Sequence, residues 1–203
     1  MTEQDAQRRF QKISPERLGE FGERVWSNIF RASGIPYIPL HKIETGHAPM
    51  IQGKDKTVLP DYECALKREA VYVDSKAKTK SVFYRKLRQE RHGIDRRSWV
   101  QYIKAAALTD KKCGIALIEL FRHDLTWSGS FLIETLNNLG EPIPGTSNQR
   151  HMVYWPRKRF VDLDSWSALE LLEIWQGKRE AAYPVELTGV FTFTPTVQTT
   201  MFP

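Results

Sequence analysis

Cysteine is nearly absent: of 203 residues only Cys64 and Cys113 are cysteine. They lie far apart and show no zinc-ligand spacing, which excludes a disulfide framework or a zinc module and favours reduced thiols in a cytoplasmic protein. No apolar run approaches the roughly 20 residues needed to cross a bilayer. The N-terminal stretch MTEQDAQRRFQK is polar and lacks the apolar segment of a secretory leader. Internal repeats and low-complexity blocks are missing too. The five histidines, His41, His47, His92, His123 and His151, show no paired metal spacing and read as loop or surface residues.

What is present describes one globular domain. The hydrophobic share is 41% and the charged share 27%, and the chain is long enough for one sizeable core. Ser14-Pro15 opens a predicted helix that runs to Ser33, because Ser accepts from free N–H groups, Pro is tolerated at the first position and Gly34 supplies the stop. Leu18, Phe21, Val25 and Ile29 share one stripe of it. Gly19 and Gly22 each cost about 1 kcal/mol relative to Ala there and imply close backbone packing. Pro36 and Pro39 confine residues 35–40 to an edge strand, and 44–56 read as loop. Strands are expected at 58–66 and 70–77. In the second, Val71, Val73, Ser75 and Ala77 take one face, and Tyr72, Asp74, Lys76 and Lys78 the other.

Residues 79–97 read as partly helical, and Ser98 as the cap of a helix with Trp99, Tyr102, Ile103 and Ala106 on one stripe. The apolar run 113–121 fits a strand covered on both faces. A helix at 130–139, a Pro/Gly loop at 140–148, a strand at 152–155 and a helix at 165–176 follow. Trp26, Trp99, Trp166 and Trp175 sit at helical core spacings, so packing explains them better than base stacking. Phe83 and Tyr84, inside a basic stretch, are the better stacking candidates. Arg157-Lys158-Arg159 could extend a phosphate-contacting surface, but a solvated turn is the better reading.

Charge is uneven. The formal net charge is +6, and between Lys76 and Lys104 stand Lys78, Lys80, Arg85, Lys86, Arg88, Arg91, Arg96 and Arg97 against Glu90 and Asp95. Such a concentration favours polyanions. It follows a D-x-K triplet, Asp74-Ser75-Lys76, with Pro60-Asp61 on the expected partner strand. Cleaving a phosphodiester needs a nucleophilic water and positive charge where negative charge builds up. Mg2+ prefers oxygen ligands, usually one or two carboxylates with waters. Asp61 and Asp74 on paired strands can converge on one ion. Lys76, on the face of Asp74, can orient or deprotonate the water or stabilise developing charge, and Lys78 can meet a phosphate. A lone D-x-K triplet is common, and a Lys-rich strand face is more often simply solvated; carboxylates on two facing strands make the set more specific.

The stretch LPDYECALKREAVYVDSKAK resembles the signature of the PD-(D/E)xK nuclease superfamily. The similarity takes in the helix before it and the helix and strand after it, over residues 14–121. This resemblance implies a restriction-endonuclease-like α/β sandwich with a central mixed sheet of about four to five strands flanked by helices. It implies a metal-dependent endonuclease that hydrolyses DNA by direct water attack, with Mg2+ as cofactor and Mn2+ substituting. Asp61 and Asp74 would bind the metal and Lys76 would be catalytic. DNA is the implied partner and a homodimer is allowed, though no segment marks an interface.

In that superfamily the first core helix often carries a Gly-Glu pair whose carboxylate reaches the metal, and GEFGERV offers Glu20 and Glu23. Glu20 points almost opposite the apolar stripe; Glu23 lies on the flank shared with Gly19, Trp26 and Phe30 and is preferred. An ordinary surface Glu in an i,i+4 pattern is the plain alternative. Gln101, with Lys104 one turn on, resembles the polar residue often found early in the following helix. Together with Lys78, Lys80, Arg85, Lys86 and Arg88, these two make up the expected nucleic-acid contacts. Asp at 74 replaces the commoner Glu, and the insertion 79–97 is long, so no subgroup is assigned. The expected division is a polar extension (1–13), one nuclease-like domain (14–182) with a C-terminal elaboration from 122, and a tail (183–203). A non-catalytic DNA-binding or assembly protein on the same fold is the competing reading, although folding does not require Asp61, Asp74 and Lys76 together.

Overall fold

The computed structural model describes residues 2–40, 50–51, 56–66, 69–78, 82–85, 88–123, 126–146 and 149–181. The N-terminal stretch, expected as a polar extension, is a helix, α1 (Glu3–Gln11), capped reciprocally by Thr2 and Asp5. Its polarity hides two buried side chains, Ala6 and Phe10. Helix α2 (Pro15–Ala32) has the predicted bounds: Ser14 accepts from Arg17 N–H, and Gly34 follows at φ +67°. Strand β1 (Tyr37–Pro39) is an edge strand, as its prolines require.

Strands β2 (Met50–Ile51) and β3 (Thr57–Val58) pair as a ribbon. The strand expected at 58–66 is therefore broken. Pro60 has no N–H to donate, so the chain bends at Asp61 before β4 (Tyr62–Leu66) begins. β5 (Glu69–Lys78) carries the D-x-K triplet.

The described parts of the insertion are strands rather than helix: β6 (Val82–Tyr84) and β7 (Gln89–Asp95). β7 buries Arg91, His92, Gly93 and Ile94 in succession, so strand pairing overrides its weak helical pattern. A Cβ at Gly93 would stand 2.5 Å from Val153 O and from the Tyr154 ring. Helix α3 (Arg96–Thr109) starts before Ser98, because Asp95 is the cap and accepts from Arg97 N–H at 2.7 Å.

β8 (Lys112–His123) is the central strand expected from its apolar run. The helix expected at 130–139 is mostly strand: β9 (Thr126–Thr135) pairs with β8 along its length, and helix α4 is confined to Leu136–Leu139. β10 (Ile143–Pro144), β11 (Met152–Pro156), a 3-10 turn (Arg157–Arg159), β12 (Val161–Ser167) and α5 (Ala168–Trp175) complete the described chain. The tail 183–203 lies outside the described residues.

The protein is mixed α/β. Its central sheet has six strands in the order β1-β4-β5-β8-β9-β12, more than expected because β9 and β12 extend it past β8. Among the described strands only the β5–β8 pair is parallel, and a parallel pair needs a crossover, here made by β6, β7 and α3. Helices α1, α2 and α5 cover one face, burying Phe21, Val25, Trp26, Leu171 and Leu172 against Val71, Val73, Ala116 and Ile118. The other face packs Tyr72, Ile115 and Leu117 against α3, α4 and a second sheet, β10-β11-β7-β6. No helix among the described residues is long and apolar enough to cross a membrane.

Candidate active site

The alternation read in β5 places Val71, Val73 and Ala77 toward α2, and Tyr72 toward α3 and the second sheet. Asp74 and Lys76 follow Tyr72 on that second face. In the β4–β5 ladder Tyr62 faces Val73; one step further along the same register Asp61 faces Asp74. The two carboxylates are therefore near enough for Asp61 to act on Asp74 through its charge, although Asp61 sits in a bend rather than a strand. Its backbone carbonyl accepts from Leu40 N–H at 2.8 Å, and its Oδ2 accepts from Ser75 N–H at 2.8 Å and Ser75 Oγ at 3.2 Å.

Asp74 is 1% exposed. Lys76 Nζ donates to its Oδ1 at 2.7 Å and stands 2.6 Å from Oδ2 in an ion-pair contact. The Tyr102 hydroxyl donates to Oδ1 at 2.5 Å. Oδ2 is buried and receives no hydrogen bond. Burial pushes the Asp74 carboxyl up to about 6, with Asp61 adding to the rise, while Lys76 and Tyr102 oppose it. For Lys76, burial favours the neutral amine, but Asp74, Asp61 and Glu23 outweigh it and hold the ammonium above the usual lysine range. Lys78 is held below that range by burial and by Lys76.

Glu23 is brought near by a close helix–strand contact. A Cβ at Gly22 would stand 3.3 Å from Ala77 Cβ, so α2 rides directly on β5 beside Lys76. The Tyr62 hydroxyl donates to the Glu23 carbonyl at 2.6 Å and fixes the helix there. Gly19, by contrast, faces open space, and Glu20 is exposed. Even so, the expected three-carboxylate set does not close: among the described residues no three His, Cys, Asp or Glu side chains stand together as a metal site. Asp61 and Asp74 are brought together, and Glu23 acts on Lys76 through its charge.

The Gln101 side-chain carbonyl accepts from Val58 N–H at 3.0 Å. It ties α3 to β3, the segment leading into Pro60-Asp61. Its chain neighbour Tyr102, read from sequence as one more core aromatic, supplies the contact to Asp74; a hydroxyl on an apolar helix stripe was the available signal. Lys104 is exposed on the outer side of α3, and Arg85 and Arg88 are exposed in the β6–β7 hairpin. Lys80 and Lys86 lie outside the described residues.

His92 and Arg157, expected at the surface, are not free surface groups. His92 is buried in β7 with its Nε2 2.7 Å from Glu119 Oε1, and Arg157 Nε donates to Glu119 Oε2 at 2.7 Å. Phe83 is exposed, whereas the Tyr84 ring is stacked by the Arg91 guanidinium at 4.0 Å. Both cysteines are buried, and burial pushes each thiol up to about 12. No family model, curated protein or solved structure matches this chain.

Proposed function

We propose that this protein is a metal-dependent nuclease of the PD-(D/E)xK kind that hydrolyses DNA phosphodiester bonds. One observation carries the reading: the β4–β5 register, continued one step, sets Asp61 opposite Asp74, and Lys76, two residues on from Asp74, reaches its carboxylate. A buried carboxylate held at about 6 is costly for a fold to keep and is characteristic of functional sites. The order of elements also supports a restriction-endonuclease-like assignment: α2, the β4–β5 hairpin, α3, then β8 running parallel beside β5.

The donor set fits a hard divalent cation such as Mg2+. It offers two carboxylates, and the Lys76 ammonium, 2.6 Å from the buried Asp74 Oδ2, already marks where positive charge is accepted. When bound by Asp61 and Asp74, such a cation supplies charge to the phosphate and acidifies a water. The chain's own residues then have distinct tasks. Tyr102 fixes the Asp74 carboxylate. Ser75 fixes Asp61. Lys76 carries a proton and a charge to the place where negative charge grows, and Glu23 keeps that charge on the lysine.

The competing reading, a non-catalytic DNA-binding or assembly protein, draws on the same Lys76–Asp74 pair, since the ammonium alone neutralises the carboxylate. A cleavage assay with Mg2+ or Mn2+ against EDTA separates the two. The parent should cut DNA with either metal and not with EDTA. Lys76→Ala should abolish cutting while leaving DNA binding largely intact. Full activity in the purified variant would sink the assignment.

A further inference from the structure

Beyond the paired carboxylates, the described surface carries a basic groove built from two segments distant in sequence. It holds about 460 Å3 and is lined by Arg96, Arg97, Val100 and Gln101 of α3 and by Arg150 and His151, just before β11. Arg96 N–H donates to the His151 carbonyl at 2.7 Å, so the two segments are stitched together at the floor. All four basic residues are exposed, and none pairs with a carboxylate among the described residues. The acidic neighbour Asp95 spends its carboxylate on the Arg97 N–H as the helix cap.

Several cations elsewhere in the described chain are paired. Lys111 meets Glu63, Lys112 meets Glu69, Arg157 meets Glu119 and Asp162, and Arg179 meets Glu170 and Glu173. Three guanidiniums around one hollow with no carboxylate partner among the described residues make a concentrated positive field. Guanidinium forks match phosphate oxygens in geometry as well as charge. The groove also adjoins the candidate site. Gln101 at its edge is followed by Tyr102, the donor to Asp74, and Arg97 lies about 8 Å along the helix from Tyr102.

We infer that this groove binds the phosphodiester backbone of a nucleic acid and leads the strand toward Asp74. This rests on the reading of the site as acting on nucleic acid, and it shifts the principal contact surface from the β6–β7 insertion to α3 and the start of β11. Arg85 and Arg88, at the far end of β7 from Asp95, stand about 20 Å away by strand rise.

The test is fluorescence anisotropy of the full chain with a labelled mixed-sequence DNA duplex of about 20 base pairs, titrated with salt and with EDTA present so that turnover plays no part. The groove variant is Arg96→Gln/Arg97→Gln/Arg150→Gln. The charge-matched control is Arg8→Gln/Arg9→Gln/Arg17→Gln, in the other basic hollow, of about 440 Å3, between α1, α2 and α5. The groove variant should bind at least about tenfold more weakly, with the log–log salt slope smaller by about 2 to 3, because each lost phosphate contact removes close to one counterion. The control should stay within about twofold of the parent, and Arg96→Lys/Arg97→Lys/Arg150→Lys should recover part of the affinity, because the charge returns without the guanidinium fork. Equal losses in both triple variants would mean net charge alone, and unchanged binding in the groove variant would mean the strand lies elsewhere; either overturns the inference. A parent that binds through the groove yet never cleaves leaves this inference standing and removes the nuclease reading.

Discussion

The Tyr102 hydroxyl donates to Asp74 Oδ1 at 2.5 Å, joining α3 to the middle of β5 inside the protein. Taking a carboxylate out of water is expensive unless hydrogen bonds and charge replace the lost solvent. Tyr102 and Lys76 supply that replacement, so the helix that encloses Asp74 also fixes its carboxylate.

Tyr102→Phe should therefore destabilise the fold by about 1–3 kcal/mol, since an acceptor is left unsatisfied in the interior. It should also raise the Asp74 carboxyl further, because the lost bond favoured the charged form. Urea denaturation measures the first effect, and the acid limb of the cleavage profile, moved to higher pH, measures the second.

Asp74 also sets a pH dependence with a definite sign. Its carboxyl is raised from 3.8 to about 6 in the folded chain. As pH rises from about 4 to about 6, the unfolded chain ionises first, so this group withdraws up to about 3 kcal/mol of stability; its contribution is level above that window. Lys76 stays protonated throughout and does not reverse the sign. The stability of the parent relative to Asp74→Asn should fall across this window and then flatten, as read from urea midpoints at several pH values. Mn2+ uptake by calorimetry should weaken below about pH 6, where protons compete for the same carboxylate.

The two glycines of α2 should respond in opposite directions. Gly19 faces open space, so Gly19→Ala should stabilise by about 0.5–1 kcal/mol. A Cβ at Gly22 already meets Ala77 Cβ at 3.3 Å and Ala77 N at 3.4 Å, so Gly22→Val should cost about 1–3 kcal/mol by forcing α2 off β5. Paired denaturation curves check the difference. The Gly22 variant should also lose cleavage activity, because Glu23 moves with the helix.

Glu119 is fully buried between His92 and Arg157. Glu119→Ala would strand both partners and should cost about 3–5 kcal/mol. A thermal melt unchanged by the substitution would show that the network contributes nothing to stability.

Local rules made much of this protein readable from its residues. Ser14-Pro15 and Gly34 bounded α2 because caps act within one turn. The alternation of β5 assigned Asp74 and Lys76 to one face because side chains on a strand alternate. The run 113–121 announced a strand buried on both sides. Tertiary structure decided the rest. β7 and β9 are strands because partners on β11 and β8 pair with them, and no local signal reports a partner. Tyr102 became the hydrogen-bond donor to Asp74, and His92 a buried residue, only when α3 and the second sheet closed over the central sheet. The α2 flank selected Glu23, yet whether its carboxylate joins Asp61 and Asp74 depended on how α2 crosses β5. That crossing is set by the contact of Gly22 with Ala77, fifty-five residues apart in sequence, and lies beyond what spacing along the chain can express.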